Sequence, residues 1–276
     1  MNIGIRLHDT RPGTLRERLA FAEGQGFSCV QLAMGKAVPG FRMNDAPALL
    51  TENLAAEVRE ELAAARMECA VLGCYLKLAQ GTEEEAERVR GIYKAHLRFA
   101  KAIGARCVGT ETPAETEGKA CRTETYYRLF LGRVKPLVRE AEELGVILAI
   151  EPVCTHIIYD AAQAERMLED LDSNNVRIIL DAVNLIDSAH TKEADKMIRD
   201  AVRRLGDRVC VLHMKDFVTD PGAIRPKPVP CGQGQMDYAP LLHLALEKDL
   251  PMTLENTVPD NAEQTRLYLE GLGRQA

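Results

Sequence analysis

Short apolar runs alternate along the whole chain with longer segments of helical period. The runs are "IGIRL" (3–7), "CVQLAM" (29–34), "CAVLGCYL" (69–76), "CVGTET" (107–112), "VILAIE" (146–151), "VRIILD" (176–181), "VCVLHM" (209–214) and "MTLEN" (252–256). Their length and apolar, partly β-branched content predict eight buried strands. Between them, apolar spacing predicts helices over 14–25, 51–66, 83–103, 122–144, 160–171, 191–205, 238–248 and 260–271. Several of these close on a glycine stop, in "EGQG", "AIGA", "EELG" and "RRLG". Strict alternation implies parallel pairing through right-handed crossovers, because each helix must return the chain to the edge where the strand began. Eight such units in 276 residues match an α/β (β/α)8 TIM barrel, which closes its sheet in about 250 residues. An open doubly wound sheet would bring a glycine-rich nucleotide turn after its first strand, and "RLHDTRPG" has none. No Ser/Gly-rich linker or break in composition divides the chain, so residues 1–276 read as a single TIM-barrel domain. One connection is unusual: 217–236, "FVTDPGAIRPKPVPCGQGQM", is long and rich in Pro and Gly, as lids and binding loops are.

Barrel active sites lie at the C-terminal ends of the strands. There the predicted strands four to eight end on Glu111, Glu151, Asp181, His213 and Glu255. A buried, unpaired carboxylate costs several kcal/mol, so a glutamate closing the apolar run "GVILAIE" must be paired, bind a metal or serve chemistry. For any one of these residues a helix cap or half of an ion pair is an adequate explanation, and Glu111 stays open between a cap and the site. The recurrence of Glu151, Asp181, His213 and Glu255 on successive repeats favours a shared site. Carboxylates gathered in one mouth repel each other, and a divalent cation keeps them ionised. Carboxylate oxygens with one imidazole suit Mn²⁺ best, with Mg²⁺, Co²⁺ or Zn²⁺ as alternatives.

The stretches "GTETP" (109–113), "IEPV" (150–153), "ILDAVNL" (179–185), "HMKD" (213–216), "GQGQMDY" (232–238) and "LEN" (254–256) resemble the sugar phosphate isomerase/epimerase family, the xylose isomerase-like barrels. The resemblance spans the C-terminal two thirds of the chain. It implies one divalent metal ion on Glu151, Asp181, His213 and Glu255, with Glu151 and Glu255 doubling as an acid/base pair. The implied reaction is isomerisation or epimerisation of a sugar or sugar phosphate, by α-proton abstraction through a metal-stabilised enediolate. His-x-Lys-Asp at 213–216 is closer to the phosphopentose epimerase and inosose dehydratase branches. An inosose dehydratase-like lyase and a non-catalytic metal- and sugar-binding barrel are therefore the alternatives. The family's endonuclease branch needs a histidine-rich trinuclear zinc site, and this chain has six histidines, of which only His213 clearly closes a core strand. Family members are often dimers or tetramers, which leaves a homo-oligomer open.

Secondary candidates follow from position. Asn184 can hydrogen-bond a substrate hydroxyl or a ligand carboxylate, or cap a helix. Lys215 is either a catalytic group or a bridge to a helix, and Asp216 can bind substrate or orient Lys215 or His213. His156, past the fifth strand, and Tyr75 with Lys77, past the third, are candidates for substrate contact. His8 reads as structural. In the long seventh loop Arg225, Lys227 and the backbone of "CGQGQ" (231–235) offer a seat for a substrate phosphate. A net charge of −6 without a Lys/Arg cluster argues against nucleic acid. No run of about 18 apolar residues argues for a membrane span, and the direct start in a strand pattern suggests a cytoplasmic protein. Eight cysteines without C-x-x-C pairs read as reduced thiols.

Overall fold

The computed structural model describes residues 1–114 and 121–275. Eight strands form the barrel: β1 (Ile3–Arg6), β2 (Cys29–Leu32), β3 (Glu68–Gly73), β4 (Val108–Glu111), β5 (Leu148–Glu151), β6 (Val176–Asp181), β7 (Val209–Met214) and β8 (Met252–Leu254). They close in the order β1-β8-β7-β6-β5-β4-β3-β2, every neighbour parallel. The main return helices are α1 (Leu15–Gly24), α2 (Glu52–Ala64), α3 (Glu83–Ile103), α4 (Glu124–Leu144), α5 (Ala161–Leu171), α6 (Ala194–Leu205), α7 (Ala239–Lys248) and α8 (Ala262–Gly273). The fold is thus a (β/α)8 TIM barrel.

Local chemistry fixes the helix ends. Thr14 with Glu17 and Thr82 with Glu85 form reciprocal capping boxes that satisfy otherwise orphaned amides. Gly104 and Gly145 end α3 and α4 in the left-handed conformation, at φ 72° and 68°, which costs a glycine nothing. Strand residues facing the helices join one large core. A separate cluster of Val71, Cys107, Ala149, Ile179, Cys210 and Val211, drawn from β3 to β7, fills the middle of the barrel. Gly109 sits against it, where an added Cβ would lie 2.5 Å from Val71 and 2.8 Å from Ile179.

Three departures from the sequence pattern matter. β1, β2, β3 and β8 end earlier than the apolar runs do, leaving Tyr75, Glu255 and Asn256 in the rim above the barrel. The 191–205 helix begins as a 3-10 turn over Thr191–Glu193. The seventh loop is ordered: Asp216–Val218 pairs antiparallel with Lys227–Val229 in a hairpin. All eight cysteines stand buried as thiols. Among the described residues no helix is long and apolar enough to cross a membrane.

Candidate metal centre

Parallel register sets the strand ends beside each other. Glu111 pairs with Glu151 across β4 and β5, and Asp181 pairs with His213 across β6 and β7. Glu255, just past β8, is held by its backbone N–H donating to the Met214 carbonyl at 2.9 Å. The side chains of Glu151, Asp181 and His213 are fully buried, and each offers a ligand atom within 4.8 Å of the others'. The Nδ1 of His213 lies 3.3 Å from the Glu151 Oε2 and 3.4 Å from the Glu255 Oε1. Glu255 is not part of the three-residue cluster, and its oxygens also face cations: Lys215 Nζ at 3.2 Å and an Arg6 guanidinium nitrogen at 3.4 Å.

These residues fit a divalent cation. The Nε2 of His213 is buried without a hydrogen-bond partner, an arrangement that costs free energy unless a further group sits there, while its Nδ1 faces only the Glu151 and Glu255 carboxylates. The one-nitrogen, several-oxygen donor set is what a hard or borderline ion takes. Burial works against charging His213, but Glu151, Glu255 and Asp181 together raise it to about 9. Burial also raises Asp181, a rise that Lys215 restrains and the Glu255 and Glu151 charges reinforce. Against its own burial, Glu255 is held well below the usual carboxylate range by Lys215, His213 and Arg6.

Lys215 is central to this balance. Its buried ammonium lies 2.6 Å from Asp181 Oδ2 and 3.2 Å from Glu255, and donates to Asn184 Oδ1 at 2.9 Å. Asn184, in the 3-10 turn Val183–Leu185, is a hub. Its amide nitrogen donates to Glu151 Oε1 at 2.6 Å, its backbone N–H to Asp181 Oδ1 at 3.1 Å, and its oxygen also accepts from Arg225. One residue thus holds two of the cluster's carboxylates in place.

A cavity of about 340 Å³ opens over the cluster. It is lined by Arg6, His8, Gln31, Lys36, Tyr75, Glu111, Glu151, Asn184, Lys215, Arg225, Glu255 and Asn256, among others. Beside it a recess of about 140 Å³ brings together Tyr75, Lys77, Glu111 and His156. Burial, with Glu151 and Glu255, pushes the Glu111 carboxyl up to about 8. His156 Nδ1 lies 3.8 Å from Glu111, and burial and Arg225 depress the imidazole to about 4. His8 falls to about 4 through burial, Arg6 and Lys36.

Two expected contacts lie elsewhere. Asp216 does not face the mouth: its carboxylate accepts backbone N–H groups from Phe217 at 2.8 Å, Gly232 at 3.1 Å, Gly234 at 2.9 Å and Met236 at 2.9 Å. The glycine-rich turn thus cradles an anion, but that anion is the chain's own Asp216, so the turn is no seat for phosphate. Gly234 is required there, since any side chain would strike the Phe217 carbonyl and the Asp216 carboxylate. Lys227 is exposed on the outer hairpin strand, whereas Arg225, just before that strand, enters the mouth. Arg6, Gln31, Lys36 and Asn256 escape the sequence reading. Arg6 and the polar Gln31 within "CVQL" carried a signal, as polar side chains inside apolar strand runs. Asn256 lies within the family-like stretch "LEN", but its backbone at φ 57° is a product of the rim's tertiary path.

A closed eight-stranded barrel with carboxylates and a histidine at its strand ends defines the class of barrel in question. The chain belongs to the xylose isomerase-like TIM barrel family, whose profile matches residues 19–273. Solved structures agree in fold. A 3-keto-D-glucoside 4-epimerase from E. coli superposes with a TM-score of 0.75 at 16% identity, covering 98% of this chain and 99% of that one. The IOLI protein, solved with a bound zinc atom, gives 0.73 at 17% identity, with coverage of 99% and 98%. A probable 3-DHS dehydratase from Bacillus anthracis gives 0.74 at 14% identity, with coverage of 98% and 99%. No curated protein matches the chain by sequence.

Proposed function

We propose that the protein is a metal-dependent isomerase or epimerase of a sugar or sugar derivative, acting by proton abstraction next to a carbonyl. The observation that carries this reading is the Glu151, Asp181 and His213 cluster beneath an open cavity, with the His213 Nε2 lacking a hydrogen-bond partner. A bound divalent ion, Mn²⁺ by preference with Mg²⁺, Co²⁺ or Zn²⁺ as alternatives, supplies charge neutralisation for the oxyanion that deprotonation creates. Glu151 and Glu255, on β5 and after β8, are the acid/base pair. Lys215, in contact with Glu255 and Asp181, is the group that donates a hydrogen bond or a proton to a substrate oxygen. Glu111, Asn184, His156 and Tyr75 bind substrate hydroxyls around the rim.

That same ammonium favours a second reading. A buried cation beside the base can protonate a departing hydroxyl, which is the step that turns deprotonation into dehydration. Product mass separates the two, since a lyase product is lighter by one water.

The test is exchange of substrate α-protons into D₂O, over a panel of ketoses and sugar acids. Glu151→Gln and Glu255→Gln should abolish exchange while circular dichroism and melting show an intact fold. Undiminished exchange in either variant refutes the assigned pair. Elemental analysis accompanies it: about one equivalent of divalent metal in the wild type, lost in His213→Ala, is expected.

A further inference from the structure

The mouth holds four cations, and they are not alike. Arg6 is engaged by Asp9 at 2.8 Å and by Glu255, and Lys215 by Asp181 and Glu255. Arg225 and Lys36 have no ionic partner among the described residues. Arg225 is half-buried, and its hydrogen bond goes to the neutral oxygen of Asn184. Its place is not accidental. The hairpin arm that carries it is tied down on one side by Ser188 N–H donating to the Ile224 carbonyl at 3.0 Å, and on the other by the Asp216 cradle. A guanidinium turned into a cavity, with spare donors and no anion to meet them, is a fork awaiting a planar or tetrahedral oxyanion.

A second observation comes from the opposite wall. Gln31 is 2% exposed. Its amide nitrogen donates to the Tyr75 hydroxyl at 2.9 Å, but its oxygen, also buried, accepts nothing. Buried acceptors are satisfied in folded proteins, so an incoming hydroxyl is the natural donor.

We propose that the mouth selects an anionic polyhydroxylated substrate, a sugar acid or a sugar phosphate, whose charged group is received by Arg225 while a hydroxyl at its far side donates to Gln31. The inference rests on the reading of this cavity as a carbohydrate site. The divalent ion adds further positive charge to the same space, and Lys36, on the rim, extends the positive field without gripping the anion. Because Asp216 occupies the glycine-rich turn, the anion is held by side chains and not by a backbone nest.

The experiment is calorimetric titration of the Mn²⁺-loaded protein with D-fructose 6-phosphate, D-glucuronate, and their uncharged counterparts D-fructose and D-glucose. At least one anionic probe should bind about tenfold more tightly than its counterpart, the scale of one charge-assisted hydrogen bond pair. Which of the two does so tells phosphate from carboxylate. Arg225→Gln should erase the difference between charged and uncharged probes, and Arg225→Lys should restore part of it. Lys36→Gln should reduce it by less than Arg225→Gln does. Gln31→Leu should weaken charged and uncharged probes alike, by about tenfold. Equal affinity for charged and uncharged probes, no binding of either anion, or a preference that survives Arg225→Gln overturns the proposal. Binding is read without turnover, so the two readings fail separately. Anion preference without α-proton exchange would sink the catalytic reading alone, and exchange without preference would sink this one alone.

Discussion

Replacing Lys215 with methionine tests the electrostatic logic of the whole centre. The side chain keeps its length and apolar stem, but the charge 2.6 Å from Asp181 and 3.2 Å from Glu255 disappears. Both carboxylates are buried, so they cannot turn to water. Removing one partner from a buried ion cluster costs about 3–5 kcal/mol, because the charge left behind is uncompensated. In a chain of 276 residues the unfolding entropy is roughly 0.6 kcal/mol per kelvin, so Tm should fall by about 5–9 °C in the presence of a chelator. The lower end applies if His213, within 3.4 Å of Glu151 and Glu255, takes up the compensating role as an imidazolium. A divalent cation neutralises the same carboxylates, and ligand binding to the native state alone stabilises it. The variant should therefore gain more stability from Mn²⁺ than the wild type does. Melting curves of both proteins, chelated and Mn²⁺-loaded, decide it. A chelated variant within about 1 kcal/mol of the wild type, or equal gains on adding Mn²⁺, would refute the argument that Lys215 stands in electrostatically for a metal.

Further predictions follow from the same contacts. His8 and His156 are held near 4 in the fold but return to about 6.5 when unfolded. The unfolded chain then binds more protons between those values, so stability present above about pH 6.5 should drain away toward pH 4. The loss is on the order of 2 kcal/mol for each histidine, and His156→Gln should flatten the slope of denaturant midpoint against pH. Asp216→Ala should cost roughly 2–4 kcal/mol and speed amide exchange at Gly232, Gly234 and Met236, with Asp216→Asn intermediate, since four backbone donors lose their acceptor. Wild-type exchange rates in Asp216→Ala would refute the cradle. Gly109→Ala, with its Cβ driven against Val71 and Ile179, should lower stability by about 1–3 kcal/mol in chemical denaturation. A neutral result there would mean that the barrel interior is looser than this packing.

What the chain determined on its own was periodic. Apolar runs of strand length separated by helical ones leave few ways to bury every strand on both faces, and eight such repeats close into a barrel. Strand ends of a parallel barrel open on one mouth, which is why Glu151, Asp181 and His213 are legible as neighbours from the sequence, with Asp181 and His213 directly in register. Off the strands that logic ends. Asp216 and Lys215 are adjacent in sequence, yet one turns to three amides of a distant glycine-rich turn and the other into the centre. Arg225 and Lys227 lie two apart on one loop, yet only Arg225 reaches the mouth, because the hairpin and its tie to Ser188 set their directions. Glu255 shows the same limit within the ligand set. Its position was fixed by β8, but the two cations that claim its oxygens come from β1 and from the end of β7. Repeating local patterns fix where a side chain starts, whereas its direction and its partners depend on contacts between residues far apart in the chain, and only the closed barrel brings those together.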